Sequence, residues 1–272
     1  MRARLALLSI LTVMAVARPS RGGDDDDARV MAAGVKALHE GRASDAIGAF
    51  EALADRGVVD AVASYDRGLA YAARVRIGAE VPGDLGRSAH GFEEARDLTR
   101  DPRLADDATL ALTILRSEVA RRRTQAGESV EVDPGRSLGR TVAGLLPENA
   151  WAVLAVLASA TLSLGLFLRM RSQERRLRVG AGVAAGLALP ALAVSVAMVL
   201  SARHDRLTLR EAVVVSPSAR PSNERGLALP GSTPMPEGAR VELVEERAGA
   251  TRIRFGTLDA WVPTSALRAL SR

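Results

Sequence analysis

Two long uncharged stretches lie side by side in the middle of the chain, and they constrain its fold more than any other feature. The first runs from Asn149 to Leu168 and the second from Val179 to Ala202. A helix needs about 20 consecutive apolar residues to cross the hydrocarbon core of a bilayer. We therefore predict a transmembrane hairpin, with helices over 147–168 and 179–202. The alternative is a pair of buried helices in a large soluble domain.

The segment between the two stretches, 169–178, predicts which way the hairpin faces. It has one acid, Glu174, against five arginines: Arg169, Arg171, Arg175, Arg176 and Arg178. Short loops rich in arginine and lysine stay in the cytoplasm. We therefore expect a cytoplasmic loop, with both flanking regions on the other side of the membrane.

The N-terminus has the features of a secretory signal peptide over 1–17. Arg2 and Arg4 precede an apolar run from Leu5 to Val16, and Ala15-Val16-Ala17 fits a small-x-small cleavage site. The alternative is an uncleaved signal anchor. Both interpretations place the following domain on the side predicted from the arginines.

Composition excludes several classes of function. The chain has no cysteine, which rules out disulfides, thiolate metal sites and cysteine nucleophiles. Its formal charge is +5, but acids outnumber bases between residues 24 and 146, and no basic run is interleaved with aromatic residues as in single-strand binding surfaces. The three histidines, His39, His90 and His204, are far apart, and we expect them at the surface or at helix ends.

Catalytic motifs are also missing from the sequence. There is no Gly-rich phosphate loop and no nucleophile elbow. The adjacent pair Glu93 and Glu94 should diverge on a helix rather than converge on one site. We therefore predict a protein that is not an enzyme and has no cofactor and no metal.

The segment 28–123 has helical periodicity and an internal repeat. Two predicted first helices carry a glycine at equivalent positions, and in the helices that follow them a small residue precedes an aromatic one by four positions. A turn glycine ends the first helix. The residues of this pattern are Gly34, Gly41, Ala46, Phe50, Gly68, Tyr71, Ser88, Phe92 and Ala95.

This pattern resembles the tetratricopeptide repeat (TPR). The resemblance implies antiparallel helix pairs in which the small residue lets the helices approach and the aromatic fills the gap to the next helix. The second unit has extra residues in its turn, over 78–86. On the first-helix side the resemblance implies a groove, where we place Lys36, Arg67 and Arg74 as outward residues suited to an acidic peptide end.

A fifth helix, about 104–123, should cap the repeat stack with Leu110, Ile114 and Val119 facing inward. A polar linker over 124–146 then leads to the hairpin.

Small residues on the second span suggest close helix packing. Gly182 and Gly186 form a GxxxG motif, accompanied by Ala181 and Ala185. The motif could form a dimer interface or pack within the hairpin, and we favour the hairpin. Neither span contains an ionisable residue, so transport and proton relay have no support.

Past Arg206 the pattern changes to short strands with frequent turns. Strands are predicted over 212–215, 240–245 and 251–255, which indicates a small β-barrel over 207–270.

The order of elements in this segment resembles a bacterial SH3 domain. The resemblance rests on Gly238 before the central strand and on the aromatic–valine pair Trp261 and Val262, followed by a short helix or strand at 265–267. We interpret Trp261 as a core residue, with a ligand platform as the alternative.

The order of signal peptide, helical repeats, hairpin and SH3-like barrel is similar to that of the E-type proteins of the bacterial aerotolerance (Bat) operon family. The fold class is thus a multi-domain membrane protein with an all-α repeat unit, a two-helix hairpin and a small all-β barrel. The resemblance implies a bacterial inner-membrane scaffold with both soluble modules in the periplasm. Its implied partners are von Willebrand A-domain membrane proteins and, indirectly, a MoxR-type ATPase. The alternative function is binding to peptidoglycan in the cell wall.

Overall fold

The computed structural model describes residues 22–128, 146, 148–247 and 249–271. The predicted signal peptide and most of the predicted linker lie outside these residues. The described residues form seven α-helices, a short 3₁₀-helix and one five-stranded antiparallel sheet. The helices are α1 (Gly22–His39), α2 (Ala43–Asp55), α3 (Ala61–Arg76), α4 (Asp84–Leu98), α5 (Pro102–Gln125), α6 (Glu148–Arg171) and α7 (Arg175–Thr208). The strands are β1 (Arg210–Val214), β2 (Arg240–Arg247), β3 (Ala250–Phe255), β4 (Leu258–Pro263) and β5 (Leu267–Ala269).

Helices α1 to α4 form two helix pairs with the same internal contact. A Cβ atom at Gly34 would lie 2.9 Å from Phe50 Cε1, and one at Gly68 would lie 2.8 Å from the ring of Phe92. In each pair, therefore, only a residue without a side chain lets the aromatic ring lie against the first helix. Gly41, at a φ of +75°, closes the turn between α1 and α2.

Helix α4 is the most enclosed element of the helical unit. It packs against α3 on one side and α5 on another, and strand β1 covers a third side. Eleven of its 15 residues are buried, although its sequence is largely polar. The α3–α4 crossing is especially close, because Gly68 and Gly91 face each other there.

Helix α5 packs on α4 through a different face from the one predicted. Leu110 and Ile114 are both 61% exposed, whereas Ala108, Leu112 and Leu115 are buried. Of the residues predicted to face inward, Val119 alone is buried. The prediction was wrong because α5 has apolar residues on two faces, and sequence periodicity could not show which face meets α4.

Helices α6 and α7 are long and apolar enough to cross a membrane. Only 6% and 17% of the residues in their most apolar stretches are buried, and many of their large apolar side chains are exposed on the surface of the protein. Such exposure differs from that of a core helix and indicates membrane association. Both helices extend beyond the predicted spans, so only Ser172–Glu174 separates them and the five arginines lie in their terminal turns.

The two apolar helices pack through small residues. A Cβ at Gly165 of α6 would lie 3.0 Å from the carbonyl oxygen of Ala181 and 3.1 Å from Cβ of Ala185, both on α7. The GxxxG glycines lie off this contact: nothing is within 4 Å of a Cβ at Gly186, and Gly182 meets only the side chain of Arg169. Within the small-residue motif, Ala181 and Ala185 therefore form the contact in the hairpin that was favoured from the sequence, whereas Gly186 does not take part in it.

The C-terminal segment forms an antiparallel sheet with strand order β4-β3-β2-β1-β5. Its core contains Val214, Val241, Ile253 and Val262. At the outer edge of the sheet, Ser222 forms an isolated bridge with Trp261 of β4, and the two residues exchange backbone hydrogen bonds. The 3₁₀-helix Thr264–Ala266 precedes β5, where the sequence predicted a short helix or strand.

We expect the α3–α4 crossing to tolerate no side chain at Gly91. In Gly91→Ala the new Cβ would lie 2.6 Å from Ser64 O and 2.7 Å from Gly68 N, so two backbones must separate. The free energy of unfolding should fall by about 1–3 kcal/mol, measured by denaturation of the detergent-solubilised chain. The matched control is Gly48→Ala, because this helical glycine has no atom within 4 Å of a Cβ. It should gain about 0.5–1 kcal/mol, and equal stability of the two variants would contradict the close crossing.

Candidate functional site

The helical unit and the sheet meet at a joint with an apolar centre. Val213 of β1 is fully buried and packs with Leu85 and Phe92 of α4 and with Leu112 and Leu115 of α5. The neighbouring residues of β1 point to the opposite face by the alternation of a strand and belong to the core of the sheet. Strand β1 therefore contributes to two hydrophobic cores at once.

Glycines bring the backbones of the two units into contact at the joint. A Cβ at Gly86 of α4 would lie 2.5 Å from the carbonyl oxygen of Val214, and one at Gly83 would lie 2.5 Å from that of Val215. Gly238, at a φ of +78°, sits in the turn before β2, where a Cβ would lie 2.9 Å from Ala89 Cβ. The SH3-like glycine of the sequence pattern is thus a contact residue of the joint.

An ionic cluster around Glu93 lies on one side of this apolar centre. Glu93 is fully buried and pairs with Arg96, with Arg116 of α5 at 2.8 Å and with Arg240 of β2 at 2.7 Å. Arg240 also reaches Asp97 at 2.7 Å and pairs with Glu211 of β1. The guanidinium group of Arg240, which belongs to β2, therefore connects this strand with α4 and with β1.

A second ionic cluster, around Glu94, lies on another side of α4. Glu94 accepts hydrogen bonds from Arg67 at 2.6 Å, from Ser64 at 2.8 Å and from the backbone N–H of Ser271 at 3.2 Å. Arg268 of β5 makes a bidentate pair with Glu51 of α2, at 2.8 and 2.7 Å. The C-terminal strand and the residues after it are thereby bound to two helices, α2 and α4.

His90 joins this second cluster from within α4. Its Nε2 lies 2.9 Å from the carbonyl oxygen of Ala269, and its Nδ1 lies 3.1 Å from Arg67 Nη2. Because arginine can only donate, Nδ1 accepts and Nε2 carries the proton donated to Ala269. Burial lowers the pKa of His90 to about 4. Burial alone would raise the pKa of Glu94, but its bonds to Ser271 and its charged neighbours lower that pKa to about 2.

A cleft opens at one end of the joint, and we call it the joint cleft. Its volume is about 500 Å³, within the range of roughly 300–1,000 Å³ for ligand pockets. Its walls come from the α3–α4 turn, the C-terminal half of α5 and the segment between β1 and β2. The residues that line the joint cleft include Glu80, Leu85, Val119, Arg122, Met235 and Glu237. Within the part of the chain that the structure describes, no cluster of three or more histidine or acidic residues could hold a metal.

The residues singled out from the sequence fall into separate places. Those of the helical pattern line the two helix pairs, and Tyr71 donates a hydrogen bond to Glu51 at 3.0 Å. Trp261 is buried, with the guanidinium of Arg247 5.0 Å from its ring centroid. Val262 lies in the sheet core, and the arginines of the hairpin turn lie away from the joint cleft.

Arg74 was expected to face outward, but it makes a bidentate pair with buried Asp84 at 2.8 and 2.5 Å. Two further predictions about charged side chains were also wrong. Arg67 was expected to face outward in a groove, but it is 4% exposed and pairs with Glu94. His90 was expected at the surface, but it is 2% exposed. Both errors have one cause, because the sheet covers a face of the helical unit that is polar in sequence. Glu93 and Glu94 do diverge, as predicted, and each serves a different cluster.

Sequence reasoning missed Arg240, Arg268 and Glu237, which connect the sheet to the helices or line the joint cleft. An arginine that begins a predicted strand looks like any solvated strand end. No local signal distinguishes Arg240 or Arg268, since the helix carboxylates that they pair with lie more than a hundred residues away.

The neutral form of His90 makes stability pH-dependent. Its folded-state pKa of about 4 lies below its ordinary value of 6.5, so the unfolded chain takes up this proton first and stability is lost as the pH falls from 6.5 towards 4. Between pH 6.5 and 4.5 we expect a loss of about 2–3 kcal/mol, measured by denaturation at each pH. The losses from Glu94 follow below about pH 4.5, since its pKa is lowered.

The variant His90→Gln can keep both hydrogen bonds but cannot titrate, so its stability should vary much less over this window. His39→Gln is the matched control, because His39 is exposed and its loss should leave the dependence unchanged. An unaltered pH dependence in His90→Gln would exclude His90 as its source.

Comparisons with protein-family models, with curated proteins and with solved structures find no match to this chain.

Proposed function

We propose that this chain is a non-catalytic, membrane-anchored interaction protein, in which TPR-like helix pairs and an SH3-like sheet act as one binding body. The observation that carries the proposal is the joint. The helical unit and the sheet, which resemble units that bind polypeptides, are packed together through an apolar centre and two ionic clusters, and a cleft forms between them.

The anchor follows from how this body is connected. The chain leaves the helical unit after α5, passes through the two apolar helices and returns to the joint as β1. Since β1 packs on α4, the helical unit and the sheet must lie on the same side of any membrane that the hairpin crosses. We place that side in the periplasm of a bacterial inner membrane, supported by the five arginines at the hairpin turn and by the predicted signal peptide.

The partners that we propose are other membrane proteins. The order of elements resembles the E-type proteins of the bacterial aerotolerance operons, which points to von Willebrand A-domain membrane proteins. The turn between α6 and α7 spans only Ser172–Glu174, too short for a domain. Any coupling to a MoxR-type ATPase in the cytoplasm would pass through those partners.

The proposed sidedness can be tested with single cysteines, because the chain has none of its own. Ser44 and Arg225 are exposed positions on the two units, and Gln173 lies in the hairpin turn. With an impermeant maleimide on intact spheroplasts, Ser44→Cys and Arg225→Cys should label, and Gln173→Cys should label only after permeabilisation. The reverse result would overturn the orientation. Different labelling of Ser44→Cys and Arg225→Cys would contradict the joint.

The proposed function can be tested by affinity purification of the full chain from mildly solubilised membranes. Von Willebrand A-domain membrane proteins should co-purify with the unaltered chain and with Glu246→Ala, an exposed control. Glu93→Ala removes the central carboxylate of a buried cluster, which typically costs about 3–5 kcal/mol, so recovery of partners should fall severalfold. Recovery of the chain alone, with tight retention on purified peptidoglycan, would favour a wall-binding protein instead.

A further inference from the structure

The joint cleft exists only because the two units are joined. Leu85 comes from α4 and Val119 from α5, whereas Met235 and Glu237 come from the segment that precedes β2. Leu85, Val119 and Met235 are all buried side chains with apolar surface on the cleft. The cleft therefore offers an apolar lining made by both units, and neither unit could form it alone.

The charged side chains around this lining differ in whether they have an ion-pair partner. Arg122 places its Nη1 2.7 Å from Glu80 Oε1 and its Nε 2.7 Å from Glu118 Oε1, so its charge is already balanced. Glu237 accepts one hydrogen bond, from the backbone N–H of Gly86 at 3.1 Å. Among the described residues Glu237 forms no ion pair. Burial raises the pKa of its carboxyl group, and this effect is larger than the opposing effect of Arg122.

The position of Glu237 is fixed by its surroundings. It lies in the turn that Ala239 closes by donating to the carbonyl oxygen of Pro236 at 3.1 Å. A Cβ at Gly86 would lie 3.1 Å from Glu237 Cγ, so the side chain packs directly on the first turn of α4. A partly buried carboxylate without an ion-pair partner is unfavourable, and a cation bound in contact with Glu237 would reduce that cost.

We propose that the joint cleft binds a basic side chain of a partner polypeptide, a lysine or arginine with apolar neighbours. The aliphatic part of the side chain would pack on Leu85, Val119 and Met235, and its charged end would pair with Glu237. This inference rests on the proposed function, since it identifies which surface of the binding body contacts a partner and the chemistry of the contact.

Met235 provides a direct probe of the cleft, because the chain has only six methionines. We would label the full chain with ¹³C-methyl methionine in detergent micelles, and assign Met235 from Met235→Leu. The probes are acetylated, amidated pentapeptides Ala-Leu-Xaa-Leu-Ala, with Xaa as lysine, norleucine or glutamate. The lysine peptide should shift the Met235 signal saturably, with a Kd on the order of millimolar for one anchoring side chain. The signal of Met31, in α1 and remote from the cleft, should stay in place.

Glu237→Gln should weaken binding of the lysine peptide about tenfold, because a charge-assisted pair is replaced by a neutral contact. Glu246→Gln is the matched control: it removes an exposed carboxylate elsewhere and should bind as the unaltered chain does. Equal shifts with the lysine and norleucine peptides, no shift with any peptide, or a preference for glutamate would each overturn the proposal. This comparison uses the unaltered chain, so it holds even if Glu237→Gln does not fold.

The outcome is separable from that of the proposed function. If membrane proteins co-purify with the chain but Met235 does not respond to the lysine peptide, the chain is an interaction protein that uses another surface. If Met235 responds selectively and Glu237→Gln weakens the response, but no partner co-purifies, the cleft stands and the scaffold role fails.

Discussion

A polar helix enclosed on several sides is the constraint on which the rest of this structure depends. Helix α4 carries Asp84, Glu93 and Glu94 into buried positions, and a buried carboxylate is tolerated only when it is paired and hydrogen-bonded. Arginines from α3, α5 and β2 supply those pairs at Arg74, Arg67, Arg116 and Arg240. Because removing one member would leave the others buried without their partner, the clusters oppose any separation of the helices from the sheet.

This pairing explains why the two soluble units form one body. The apolar centre around Val213 supplies non-directional attraction. In contrast, Arg240 pairs with Glu93 of α4 and Arg268 pairs with Glu51 of α2, and these two fixed contacts define the orientation of the sheet. The joint cleft, with Glu237 at its edge, is a product of that orientation. The body is also joined closely to the apolar hairpin, because one residue, Leu209, separates α7 from β1.

Much of the fold could be predicted from local patterns, and the joint could not. Uncharged length located the hairpin, glycine–aromatic spacing located the contacts inside both helix pairs, and strand alternation located β1 to β3. The joint was missed because burial of α4 depends on a sheet that follows three further helices in the chain, so His90 and Arg67 look solvated in sequence. The face of α5 was mistaken at Leu110 and Ile114, since two apolar faces compete in that helix. Glu237 is one glutamate in a turn, and only its neighbours in space distinguish it.

Because the paired charges are far apart along the chain, their contacts can form only in a fixed order during synthesis. Glu93 and Arg240 are 147 residues apart, and a ribosome adds about 5–20 residues per second. The carboxylates of α4 and the apolar side chains beside them therefore wait about 7–30 seconds for their partners on the sheet, while both apolar helices are made. If the hairpin crosses a membrane, β1 can reach α4 only after the second helix has returned the chain to its original side. Insertion of the hairpin would then be a precondition for completing the helical unit, and a failed insertion would leave one face of α4 uncovered.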